Sequence, residues 1–172
     1  GCELPVVINS GSGNQGLTVS VPLIIYAERE HLDKEKLYRA LVISNLTAIH
    51  LKTEIGRLSA FCGAVSAGAA CGAGLAYLKD ASEEVMNHTI VNALAITSGI
   101  ICDGAKASCA AKIAVSVEAG ILGYDMYMNG QQFYGGDGII SKGIENTIHN
   151  IGVLGSQGMA STDQEIIKIM CE

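Results

Sequence analysis

At 172 residues the chain has the size of one domain and is long enough to bury a full core. Hydrophobic residues make up 49%, charged ones 16% and aromatics 5%, with 21 glycines and no tryptophan, so core bulk must come from Ile, Leu, Val and Ala in closely packed elements. The net charge of −6, with Lys and Arg never forming a run, argues against a phosphate-tracking surface, and nucleic acid is not an expected partner.

Gly1 opens into Cys2-Glu3-Leu4-Pro5 without the charged start and apolar run of a secretory signal, and the lack of an initiator Met fits a fragment or a processed chain. Six cysteines would allow three disulfides in a small secreted domain. This chain exceeds that stapled class, and its cysteines sit in apolar helical sequence, so a reducing, cytoplasmic setting is expected.

Residues 1 to 8 read as extended, with Pro5 arguing against a helix interior. The Gly-rich loop Asn9-Ser10-Gly11-Ser12-Gly13-Asn14-Gln15-Gly16 comes next, and its glycines spell G-x-G-x-x-G. A dinucleotide site needs a strand before, a helix after and an acidic residue within a βαβ unit; Val6-Val7-Ile8 is short and Pro22 interrupts the segment after the loop. The loop better suits a small anion site, in which Ser10, Ser12, Asn14 and free N–H groups grip a carboxylate, or else a tight turn without a ligand.

Leu17–Ala27 is assigned to helix because no partner strand is visible, although Thr18, Val19 and Val21 favour strand. Asp33 caps an amphipathic helix to about Ile55, with Leu37, Leu41, Ser44, Ala48, Leu51 and Ile55 on one face. Residues 58 to 78 form a helix of small residues in which Gly63, Ala67, Cys71 and Gly74 repeat at three to four. This spacing is that of membrane helix contacts, but the run is mostly Gly, Ala and Ser between Arg57 and Lys79, so a buried helix of a soluble domain is expected and no membrane span. Asp80-Ala81-Ser82-Glu83 starts the next helix, which runs through His88, Val91, Leu94 and Ile96 towards Gly99. Ala110–Leu122 reads as helix, Tyr124–Asp137 as loop, Ser141–Leu154 as helix, and Thr162-Asp163-Gln164-Glu165 as the cap of a last helix to Met170. The expected fold is all-α: a single compact domain, residues 1–172, of packed helices rich in small residues, with Gly-rich loops.

Four cysteines fall between positions 62 and 109. The C-x6-C pair Cys102/Cys109 suits a loop closing over a cluster better than a zinc knuckle, whose paired cysteines stand closer. From spacing alone, buried structural cysteines remain the alternative; Cys2 and Cys71 are assigned that role.

Three motifs, Cys62-Gly63-Ala64, Ile101-Cys102-Asp103-Gly104-Ala105-Lys106-Ala107-Ser108-Cys109 and Ile8–Gly16, together resemble the alpha-chain domain of iron–sulfur L-serine dehydratases. They resemble still more that family's relatives, the L-cysteine desulfidases, and the likeness covers almost the whole chain in the family's motif order. It implies a [4Fe–4S] cluster on Cys62, Cys102 and Cys109 with one iron open to substrate, and a substrate site at Ser10, Gly11, Ser12, Gly13 and Asn14. Asp103 and Lys106 would hydrogen-bond backbone near the cluster or offset its charge; otherwise they are solvated loop residues. The implied reaction is β-elimination from L-cysteine, with L-serine as the alternative substrate; a non-catalytic amino-acid-binding domain of the same fold is the competing reading. The implied partners are a small amino acid and an N-terminal portion of the same protein that carries the α-proton base, which makes this chain a C-terminal fragment expected to be inactive alone. Self-association into a homo-oligomer is left open. Some related serine dehydratases place a terminal cysteine on the open iron, but a frayed terminus is the preferred reading of Cys171.

Overall fold

The computed structural model describes residues 3–172, so the structural role expected of Cys2 lies outside the described residues. It bears out the all-α expectation: seven α-helices and no strand among the described residues. They are α1 (Gly13–Arg29), α2 (Lys34–Ile55), α3 (Gly63–Leu78), α4 (Glu83–Thr97), α5 (Ser108–Met128), α6 (Ile144–Val153) and α7 (Ala160–Cys171), with a π-helical turn, Leu154–Gly158, between the last two.

The organising element is α3. All its residues except Gly63 and Tyr77 are buried, and it touches α1, α2, α4 and α5. A helix surrounded on every side has no room for bulk, and the sequence meets that demand with Gly, Ala, Ser and Cys. The closest approach is to α5: a Cβ on Gly68 would stand 2.5 Å from the Ser116 carbonyl carbon, and one on Gly72 would stand 2.8 Å from the Gly120 Cα. Larger side chains fill the two ends. Leu51, Ile55, Phe61, Val65, Leu94, Ile148 and Ile151 pack at the end where α3 begins, and Leu23, Ala40, Cys71, Leu75 and Leu78 towards the other.

Several boundaries differ from the sequence reading. The helix expected from residue 58 begins at Gly63, because Phe61 pairs with Ile101 in an isolated antiparallel bridge. The cap expected at Asp80 is Ser82, whose Oγ accepts from the Val85 N–H; Asp80 takes a left-handed φ of 59° just after α3 and pairs with Lys36. The region assigned to loop from Tyr124 is helical to Met128, since Gly120 and Gly123 serve close packing: a Cβ on Gly123 would stand 2.8 Å from the Thr89 carbonyl oxygen. Thr162 does not cap α7, which starts at Ala160 as a near-continuation of the π-helical turn. Leu17–Ala27 is helical as read, and α1 continues past Pro22.

Candidate functional site

The isolated bridge is what brings two distant cysteines together. The Cys62 N–H donates to the Ile100 carbonyl at 3.2 Å and the Cys102 N–H to the Ala60 carbonyl at 2.7 Å, so two chain segments forty residues apart run side by side. Cys62 is also the N-cap of α3. From Cys102 the chain turns at Gly104, whose φ is +89°, and returns in the first turn of α5 to present Cys109. The Cys109 thiol donates to the Gly104 carbonyl at 3.3 Å and accepts from the Lys106 N–H at 3.5 Å.

All three sulfurs line one cavity of about 280 Å3, together with Gly11, Ser12, Asn14 and Gln15 from the start of α1 and Lys52 from the last turn of α2. That volume lies below the roughly 300–1,000 Å3 of pockets for drug-sized ligands and suits a small molecule. Ser10 is not on the wall: it has a left-handed φ of 48° and donates to Asn9 Oδ1, while Asn9 Nδ2 reaches Asn45 Oδ1 at 3.0 Å. Gly13 opens α1 and packs on Val6. Of the six residues between the paired cysteines, Asp103 forms an ion pair with Lys112, and Lys106 meets Cys109 through its backbone. A larger cavity of about 660 Å3, between α4 and the loop before α6, contains none of these thiols.

The electrostatics favour thiolate at Cys102. The neighbouring Cys62 thiol lowers the Cys102 pKa, with the Gly104 N–H and the Lys112 ammonium adding to the effect; Cys62 is raised, by Cys102 first and by burial second. Of the pair, Cys102 is the sulfur more readily ionised. Lys112 is itself raised, chiefly by its hydrogen bond to Asp103, and so keeps its positive charge beside the sulfurs.

Sequence reasoning missed two residues here. Lys52 is only 6% exposed, has no acidic partner among the described residues, and has its pKa lowered by burial. Gln15 is 3% exposed and its Oε1 has no hydrogen-bond partner. Lys52 falls on the buried face of α2, next to Leu51 and four residues after Ala48, and that periodicity was the available signal.

Cys71 is fully buried, and burial pushes its thiol up to about 12. Alkylation of the metal-free native chain at neutral pH should therefore modify exposed Cys171 and spare Cys71 until denaturant is added, as peptide mapping would show. Rapid native modification of Cys71 would contradict its core position. Cys171 is the last residue of α7, outside the cavity, although Met170 lies against Gly104.

Among the described residues no three His, Cys, Asp or Glu side chains stand close enough to hold a single metal ion. The donor set is of a kind that suits a polynuclear group: three soft thiols on one cavity wall, free of disulfides, with Lys52 and Lys112 on the same wall.

An all-α domain built around a small-residue helix, with a thiol-lined cavity at one end, is the class of protein that fold and site define. The serine dehydratase alpha chain family model matches residues 1–168, and the chain belongs to that family. A UPF0597 protein of Desulfitobacterium hafniense strain Y51 is 67% identical over 99% of this chain and 40% of its own length. UPF0597 proteins of Treponema denticola and Lachnoclostridium phytofermentans are 55% and 56% identical over 99% of this chain and 39% and 41% of theirs. The chain thus spans about two fifths of these relatives. No solved structure matches it significantly. Among the described residues no helix is long and apolar enough to cross a membrane.

Proposed function

We propose that this chain forms the cluster-binding part of an iron–sulfur lyase that removes the β-substituent of a small L-amino acid, L-cysteine in the first instance and L-serine as the alternative. One observation carries the reading: Cys62, Cys102 and Cys109 share a small cavity with the N-terminus of α1. On this reading the three thiolates hold a [4Fe–4S] cluster, which supplies a Lewis-acidic iron to stabilise the departing sulfide or hydroxide. The overall change for cysteine is L-cysteine plus water to pyruvate, ammonia and hydrogen sulfide, through 2-aminoacrylate.

The chain's own residues bind and orient. Ser12 and Asn14 sit at the positive end of α1, where unpaired N–H groups favour a carboxylate, and Lys52 faces the same space with no carboxylate partner among the described residues. The orphaned Gln15 Oε1 is an acceptor suited to the substrate ammonium. Lys112, held by Asp103, offsets charge at the thiolates. The proton on the substrate α-carbon is taken by a base outside these residues, in an N-terminal portion of the longer polypeptide, so the 172 residues alone turn over negligibly.

Lys52→Met is expected to weaken amino-acid binding roughly 10- to 100-fold, the range for losing one charge-assisted hydrogen bond of about 1.5–3 kcal/mol, while iron content stays at the wild-type level. Calorimetric titration beside an iron assay separates the two; unchanged affinity would remove Lys52 from the substrate site. To test the function itself, the complete polypeptide is reconstituted anaerobically and given L-cysteine or L-serine. Sulfide and pyruvate from cysteine support the desulfidase reading, and pyruvate from serine alone supports the dehydratase. Amino-acid binding without iron uptake would replace both with the non-catalytic binding domain.

A further inference from the structure

The outward face of the α1–α2 pair has the anatomy of a protein interface. Val19, Leu23 and Ala27 of α1, and Ala40, Ser44 and Ala48 of α2, are buried in the core. Positions two residues before or after these point the opposite way. There stand Leu17, Val21 and Ile25 on α1 and Tyr38, Val42 and Leu46 on α2, 38–60% exposed. The two helices pack against each other, so the two stripes lie in one layer.

No charged residue occurs from Gly13 to Ala27 or from Ala40 to Ile49. Charge returns towards the α1–α2 turn, with Glu28 and Arg29 on α1 and the exposed Glu35–Arg39 ion pair beside Tyr38 on α2, and at the other end with His50 and Glu54. An apolar centre depleted of charge inside a charged rim marks a protein contact, and patches of this kind are uncommon on free monomers. A membrane surface is a poorer fit, because a helix lying in lipid headgroups carries Lys and Arg along its polar flanks and these flanks are uncharged.

We propose that this face is the seat of a further segment of the same polypeptide, the part that makes the curated relatives about two and a half times as long as the matched region. The path of the chain supports that occupant. Residues 6–7 cross the start of α1, with Val6 against Gly13 and the Val7 carbonyl against Gly16, and Asn9 reaches α2 at Asn45. Leu4, Val7 and Ile8 are 65–83% exposed there, so an apolar strip continues on the same side. The occupant is an apolar, weakly charged helical or extended surface of that segment.

The test places the photo-crosslinking residue benzoylphenylalanine at Val42, at Val21 as an independent second position, and at exposed Glu165 as a control, each in the complete native polypeptide. The expected product from Val42 and Val21 is an intramolecular crosslink to a peptide outside residues 1–172, with a yield that does not fall on dilution and no such product from Glu165. Three results would overturn the proposal: crosslinks joining two copies, with a yield that falls on dilution; no protein crosslink from either apolar position; or a native gene product with no residues beyond these 172.

Discussion

Cys102→Ala is expected to abolish iron uptake, leaving well under one iron per chain after anaerobic reconstitution where the unaltered protein takes up about four. The Cys102 thiol shares the cavity wall with Cys62 and precedes the Gly104 turn that leads to Cys109. Its removal takes away a sulfur whose pKa is lowered, and ligation requires thiolate. The fold should survive, because the bridge beside it uses the Cys102 backbone N–H and the Ala60 carbonyl. Cys102→Ser tests the chemistry separately from the shape, since a hard hydroxyl is a poor substitute for a soft thiolate. Cys71→Ala is the contrasting variant: its sulfur is buried among Leu23, Ala40 and Leu75, so it should lose some stability and keep its iron. Wild-type iron in Cys102→Ala, measured with acid-labile sulfide and with circular dichroism to confirm folding, would remove Cys102 from the ligand set.

The second large effect concerns the central helix. Alanine normally stabilises a helix relative to glycine by about 1 kcal/mol, yet Gly68→Ala is expected to destabilise this domain by a net 2 kcal/mol or more, about 5 °C or more in Tm for a chain of this size. The new methyl would meet the carbonyl carbon of Ser116 at 2.5 Å and the Ser116 Cβ at 2.6 Å, and the backbone atom cannot be relieved by a rotamer change. The helices must then move apart, and that displacement reaches the site, since α3 carries Cys62 at its start and α5 carries Cys109 in its first turn. Reduced iron affinity should accompany the lower Tm. Gly99→Ala is the control: nothing lies within 4 Å of its Cβ position, and its stability should change by no more than about 0.5 kcal/mol. Equal Tm values for the two variants would contradict the close α3–α5 crossing.

The parts of the fold legible in the sequence are those encoded locally. Asp33 announces α2 because its side chain accepts from the Glu35 N–H, an interaction that needs only three consecutive residues. The small residues of α3 announce a helix crowded by neighbours. What stayed hidden depends on tertiary placement. Gly120 and Gly123 look like helix breakers in isolation and are contact points once α3 and α4 are present. The Phe61–Ile101 bridge joins two segments with no strand-like periodicity, so it could not be read in advance. The cysteines of the candidate site were visible as residue types, whereas Lys52 showed only as a lysine at a core position of α2 and the Gln15 amide gave no sign, since each becomes unusual through burial beside the thiols.

The central claim is that three protein sulfurs hold four irons, which leaves one iron free to meet a substrate. Mössbauer spectra of the complete polypeptide, reconstituted with isotopically labelled iron, test that most directly when recorded before and after addition of L-cysteine or L-serine. The expected result is that the signal of one iron in four changes and the other three hold. Four irons that all ignore both amino acids, or a reconstituted protein without a cluster, would contradict it.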